Sequence, residues 1–216
     1  MAFPLQPASF WDLLPISAQT FDLPEVTSIS RTRGGEILMA DRGARLWHGQ
    51  ISLGPMTRDE AAAVLPLLNL LRAAGRSFLA MDRSREYPRQ DPRATRLGAA
   101  AVQLASVTPR EITLSGLPSG YVLSRGDLLS FAYGTDPARY ALHEIVTASV
   151  TAASTGTTPV IEVVPPIRDG ATPGTAVRLR GPFCKAIIVP DSVELGQHRQ
   201  GALIEGVRFR FQQTLR

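Results

Sequence analysis

Lysine is almost absent from this chain of 216 residues, cysteine and histidine are scarce, and no long apolar run occurs. Each absence excludes something. A single cysteine, Cys184, rules out an intramolecular disulfide framework and cannot supply the several thiolates of a structural zinc site. It sits between Phe183 and Lys185 with no nucleophile signature around it, which predicts a small buried core residue. The three histidines, His48, His143 and His198, are far apart and lack metal-ligand spacing, so each is expected to be structural. There is no G-x-S-x-G elbow, no H-E-x-x-H and no phosphate loop. The expectation is a protein that is not an enzyme, with no cofactor and with no catalytic, cofactor-binding or metal residues to assign.

No apolar stretch approaches the roughly 18 residues of a membrane span. The opening residues, MAFPLQPASFWDLLP, carry no basic residue and no long apolar core, unlike a secretory signal. A soluble chain made in the cytoplasm is expected. Lys185 is the one lysine, so 22 of the 23 basic residues are arginine, and the net charge is +4. The arginines are dispersed, with a loose group at Arg83, Arg85, Arg89, Arg93 and Arg96. No RNA-recognition signature, zinc finger or helix-turn-helix accompanies them, so sequence-specific nucleic-acid binding is not expected.

What is present centres on residues 44–82. Trp47, Ile51 and Leu53 occupy odd positions, and His48, Gln50 and Ser52 alternate with them, which predicts a strand with one buried face. Gly54-Pro55 breaks it. Thr57-Arg58-Asp59-Glu60 is a capping box, and Ala61, Val64, Leu65, Leu68 and Leu71 follow at helical spacing. A helix over 57–75 is predicted, with Gly75 as its stop and a kink at Pro66. Arg76 to Met81 then resumes extended structure.

Around this unit the chain divides. Residues 1–20 form an apolar arm whose prolines, Pro4, Pro7 and Pro15, deny it a long helix or a central strand position. Phe3, Phe10, Trp11 and Leu14 must be covered, either by their own domain or by a neighbouring subunit. Val26–Arg31, Gly34-Gly35 and Glu36–Met39 read as a hairpin. Near the other end, Val207, Phe209 and Phe211 alternate with Arg208, Arg210 and Gln212, a strand able to complete a sheet begun by the first third of the chain. Between them, after the polar, proline-containing linker 87–96, short strands are punctuated by turns: 101–105, 112–114, 128–133, 140–146, 160–164 and 176–179. Arg125-Gly126-Asp127 opens one of these strands and reads as a turn, not an adhesion tripeptide. The organisation expected is an outer domain from 21–95 and 183–216, with a β-rich domain, 96–182, inserted into it.

The segments Gly116–Leu123, Gly126–Phe131, Ala141–Glu144, Val164–Arg168 and Ala176–Leu179 resemble tail proteins of long-tailed bacteriophages and prophages. The flank Gly43–Trp47, the capped helix and Arg76–Leu79 fit the same group, so the likeness spans about residues 25–216. It implies a distal tail protein of a siphovirus-like phage, prophage or gene-transfer-agent-like particle. The implied fold is mainly β with one main α-helix: a tail-tube-like β-sandwich plus an inserted small antiparallel β-barrel or sandwich. The implied role is a structural virion component of the tail tip. It forms a homo-oligomer, a hexameric ring joining the tail tube protein to the baseplate hub protein and continuing the DNA conduit. Phe3, Phe10, Trp11 and Leu14 become candidate subunit-interface residues in this reading. A conduit should not hold passing DNA by counterion release, so the arginines are expected to face outward or toward interfaces. The alternatives are a carbohydrate-binding baseplate module for host attachment, or another tail protein such as a tail terminator.

Overall fold

The structure is a computed structural model and describes residues 2–199 and 203–216. It is mainly β, with antiparallel sheets and one α-helix. In chain order the strands are β1 (Ile16–Asp22), β2 (Thr27–Arg31), β3 (Ile37–Asp41) and β4 (His48–Leu53). After helix α1 (Arg58–Leu71) come β5 (Phe78–Met81), β6 (Gln103–Val107), β7 (Glu111–Ser115), β8 (Val122–Ser124), β9 (Leu128–Tyr133) and β10 (Arg139–Ile145). Then follow β11 (Ser149–Thr151), β12 (Ile161–Val164), β13 (Val177–Arg178), β14 (Phe183–Ile188), β15 (Glu194–Arg199) and β16 (Leu203–Gln213).

The outer sheet has the order β1-β4-β16-β14-β5, with β15 also on β16, so strands from both ends of the chain interleave. The period of two written into β4 and β16 decides its buried face. Ile51 opposes Phe209, and Trp47, Leu53, Val207 and Phe211 are buried beside them, while Gln50 and Arg208 are exposed. Gly49 is obligatory: a Cβ there would lie 2.0 Å from the Thr20 carbonyl oxygen and 2.8 Å from the Phe211 ring. Helix α1 packs on this face through Ala61, Val64, Leu68 and Leu71. Its capping box forms as predicted, with the Thr57 amide donating to the Glu60 carboxylate at 2.8 Å and the Glu60 amide to the Thr57 hydroxyl at 3.4 Å. The Thr57 amide and the Thr57 hydroxyl, which donates to the same carboxylate at 2.9 Å, hold the Glu60 carboxyl below the usual carboxylate range. The helix ends at Leu71, four residues short of Gly75, and Pro66 lies within one continuous helical segment.

The arm also completes this core. Phe10 and Trp11 are fully buried, with Trp11 stacked on Phe78 at 5.7 Å and Phe10 edge-on to the same ring at 5.1 Å. Leu5 pairs with the free edge of β5 through Leu5 N–H to Ser77 O and Leu79 N–H to Leu5 O. The arm is shorter than the sequence implied. Pro15 ends it, and Ile16–Asp22 is the edge strand β1, where the absence of a partner on one side suits the segment next to a proline.

The second core belongs to the middle of the chain. Strands β13-β9-β10-β12-β7-β6 run in order around a near-barrel, and a bridge from Gln103 to Ala176 brings its two ends together. The ribbon β8-β11 pairs separately. Residues 87–96 are more than a linker. Asp91, 4 % exposed, accepts from the amides of Thr95 and Leu97 at 2.9 Å and from the Tyr121 hydroxyl at 3.3 Å. Burial alone would raise its carboxyl, but the amides of Leu97, Arg96 and Thr95 hold it below the usual range. The segment is thus tied down as a wall of the second domain.

A polar seam joins the two domains. The Trp47 indole donates to the Leu142 carbonyl at 2.7 Å. Gln213 donates to the Tyr140 carbonyl and accepts from the Trp47 amide, both at 3.2 Å. The Arg139 guanidinium donates to the Leu215 carbonyl at 3.1 Å, and Arg85 pairs with Glu144 at 3.0 Å.

Candidate functional site

The four residues expected at a subunit interface pack, within one copy, against the outer core. Phe10, Trp11 and Leu14 lie in the core of their own domain, and Phe3 packs against that core under the Arg76 guanidinium, 4.5 Å from its ring centroid. The rings of Phe78 and Phe211 give the arm an aromatic bed within one copy. Within one copy the chain itself covers Phe10, Trp11 and Leu14, and Phe3 stays half-buried.

The unsatisfied apolar surface is on the β2–β3 hairpin. This two-stranded sheet pairs with neither of the larger ones. Cross-strand partners share a face, so Ile29 opposite Met39 and Arg31 opposite Ile37 place three large apolar groups on one side. Ile29 is 63 % exposed, Met39 60 % and Ile37 53 %, and Leu38 is exposed on the other side. The tip is fixed by Thr32, whose hydroxyl accepts from the Glu36 amide at 3.1 Å. The base is fixed by Arg45, which donates to the carbonyls of Leu23 and Pro24. A cleft of about 500 Å³ separates this base from the inserted domain, with Val26 and Met39 on one wall and Val164 and Ile167 on the other.

An isolated two-stranded hairpin is marginal in water. This one is anchored at its root and tip, and Ile29, Ile37 and Met39 on one face stay largely exposed. The hairpin itself was legible in the sequence; its exposure was not. The available signal was the run Ile37-Leu38-Met39, which lacks the alternation expected of a half-buried strand.

The other motifs resolve into structural roles. Asp127 of the Arg-Gly-Asp turn is 4 % exposed and accepts from the amides of Ser124 and Arg89, both at 2.8 Å, so it is not displayed. Cys184 is buried, and burial pushes its thiol far above the ordinary value, the opposite of an activated nucleophile. In the arginine group, Arg83 pairs with Asp12 and Arg85 with Asp82, both at 2.7 Å. Arg96 donates to the Gly120 carbonyl and lies over the Tyr121 ring. These cations pin the connecting segment in place. Among the described residues no group of three or more His, Cys, Asp or Glu converges as a metal site, and no helix is long and apolar enough to cross a membrane. Comparison of the chain with protein-family models and with curated proteins finds no match.

Proposed function

We propose that this protein is a non-enzymatic, self-associating structural subunit of a phage-type tail, of the distal-tail-protein kind. In this role it forms a ring, hexameric by the resemblance, between the tail tube and the baseplate hub of the virion. The observation that carries the self-association is the β2–β3 hairpin, with Ile29, Ile37 and Met39 on one solvent-facing side. Such a contiguous apolar face on a projecting element marks a protein interaction site. The layout of one outer domain built from both chain ends around an inserted near-barrel accords with the same reading. So does the pairing of Arg83 and Arg85 with carboxylates, which removes them from any basic surface that would retain DNA.

The glycan-binding alternative has less behind it. Tyr121, Phe131 and Tyr133 are buried within the inserted domain, leaving Tyr140 as its partly accessible aromatic residue. The test is native mass by light scattering behind a sizing column, with electron microscopy of the peak. Closed rings with an open centre are expected, on the protein alone or when mixed with tail tube and hub proteins. A chain that stays monomeric at high concentration and in those mixtures overturns the proposal.

A further inference from the structure

His143 is 3 % exposed and stands on β10 where the inserted domain meets the outer one. Its Nδ1 lies 2.8 Å from the Pro165 carbonyl oxygen, which can only accept, so the proton sits on Nδ1. Nε2 is therefore a lone-pair acceptor, and it is buried with no partner. The residue lines a narrow space of about 20 Å³, room for one water molecule. Arg45, Gln213 and Leu215 of the outer domain wall one side of it, and Tyr133 and Arg168 of the inserted domain wall the other. No carboxylate lines it. The neighbouring Glu144 is on the opposite face of the strand and is held by Arg85. A proton added to Nε2 would thus create a buried cation facing the half-buried Arg45 and Arg168 with no anion to meet it.

We propose that the seam is an acid-released latch: proton uptake by His143 frees the inserted domain from the outer sheet while both domains stay folded. The ring stacks on Phe131 at 5.4 Å and bonds Pro165, both within the inserted domain. Admitting water to Nε2 therefore needs only the outer wall to leave, not the barrel to unfold. Burial pushes the imidazole down from 6.5 to about 4, with Arg168 acting in the same direction and the Pro165 bond opposing. With the closed form lowered, seam stability is complete above about pH 6.5 and is lost as pH falls toward about 4. The closed-to-open ratio changes by about 300-fold over that window.

The chain has two tryptophans, and only Trp47 spans the seam. Fluorotryptophan-labelled full-length protein, followed by fluorine NMR across that pH window, should show the Trp47 resonance moving while Trp11, in the outer core, stays fixed. His143→Phe, which keeps the stacking and cannot titrate, should abolish the transition. Arg168→Gln, which takes a cation away from the protonated ring in the closed form, should lower its midpoint, and this variant carries the test if His143→Phe does not fold. Movement of both resonances together, a Trp47 transition that survives His143→Phe or is unmoved by Arg168→Gln, or no transition at all would each overturn the latch.

Discussion

The N-terminal arm and the β2–β3 hairpin, with only β1 between them in the chain, both carry large apolar side chains and meet opposite fates. In the arm, Phe10 and Trp11 are wholly buried against Phe78; in the hairpin, Ile29 and Met39 keep most of their surface in water. The difference comes from backbone as well as composition. The arm is irregular, so its rings can turn toward whatever bed exists, and its backbone is satisfied through Leu5 on the edge of β5. A hairpin must satisfy its backbone by pairing with itself, which fixes its faces before any core is reached. Rooted by Arg45, it leaves Ile29, Ile37 and Met39 largely exposed. Apolar side chains on irregular backbone fill a core; those on a self-paired hairpin stay in water unless a partner covers them.

The comparison is broken most severely at Trp11. If the arm is core, Trp11→Ala should cost roughly 3 to 5 kcal/mol, read as a fall in the denaturant midpoint. A cost near zero would mean the arm is a detachable clasp. Asp91 gives the next effect. Asp91→Ala removes the acceptor shared by Thr95, Leu97 and Tyr121. Cleavage by trypsin after Arg93 and Arg96 should accelerate about tenfold, because the segment opens locally without global unfolding. Thr57→Ala, which removes the helix cap, should cost about 1 kcal/mol.

Much of the outer domain was legible because its signals are local. The alternation in β4 and β16 gave the buried face, Thr57 and Glu60 gave the start of α1, and Gly34-Gly35 gave the hairpin turn. Edge strand β1 was not legible, since its alternation follows directly on a proline-rich stretch that argues against any strand. The seam was not legible either. Trp47, Leu142 and Gln213 are remote in sequence, and their pairing depends on how two cores meet. The interface residues were sought on the most apolar segment, the arm. Composition measures how much surface needs covering, whereas only the three-dimensional arrangement shows which of it the chain covers itself. Residues 87–96 mislead for the same reason, because a polar stretch becomes a wall once Asp91 is buried among backbone amides.

The smallest effect on folding should come from the hairpin, and it sharpens the comparison most. Ile29→Asp combined with Met39→Asp places charge on a face that touches no core within one copy. Stability of the monomer should change by no more than about 0.5 kcal/mol, the range for surface positions away from special features. Native mass should respond strongly: if this face is where copies meet, the double variant stays monomeric under conditions in which the parent chain assembles. Two carboxylates facing an apolar partner surface would each have to be desolvated without a counter-charge. The hairpin turn, fixed by Thr32 and Gly35 rather than by Ile29 or Met39, should persist, so loss of assembly could not be assigned to loss of the hairpin. Should the double variant destabilise the fold as much as Trp11→Ala, the hairpin would be part of the core after all. Should it assemble unchanged, the contacts between copies would have to lie elsewhere on the outer domain, with the free edge of β1 the first place to look.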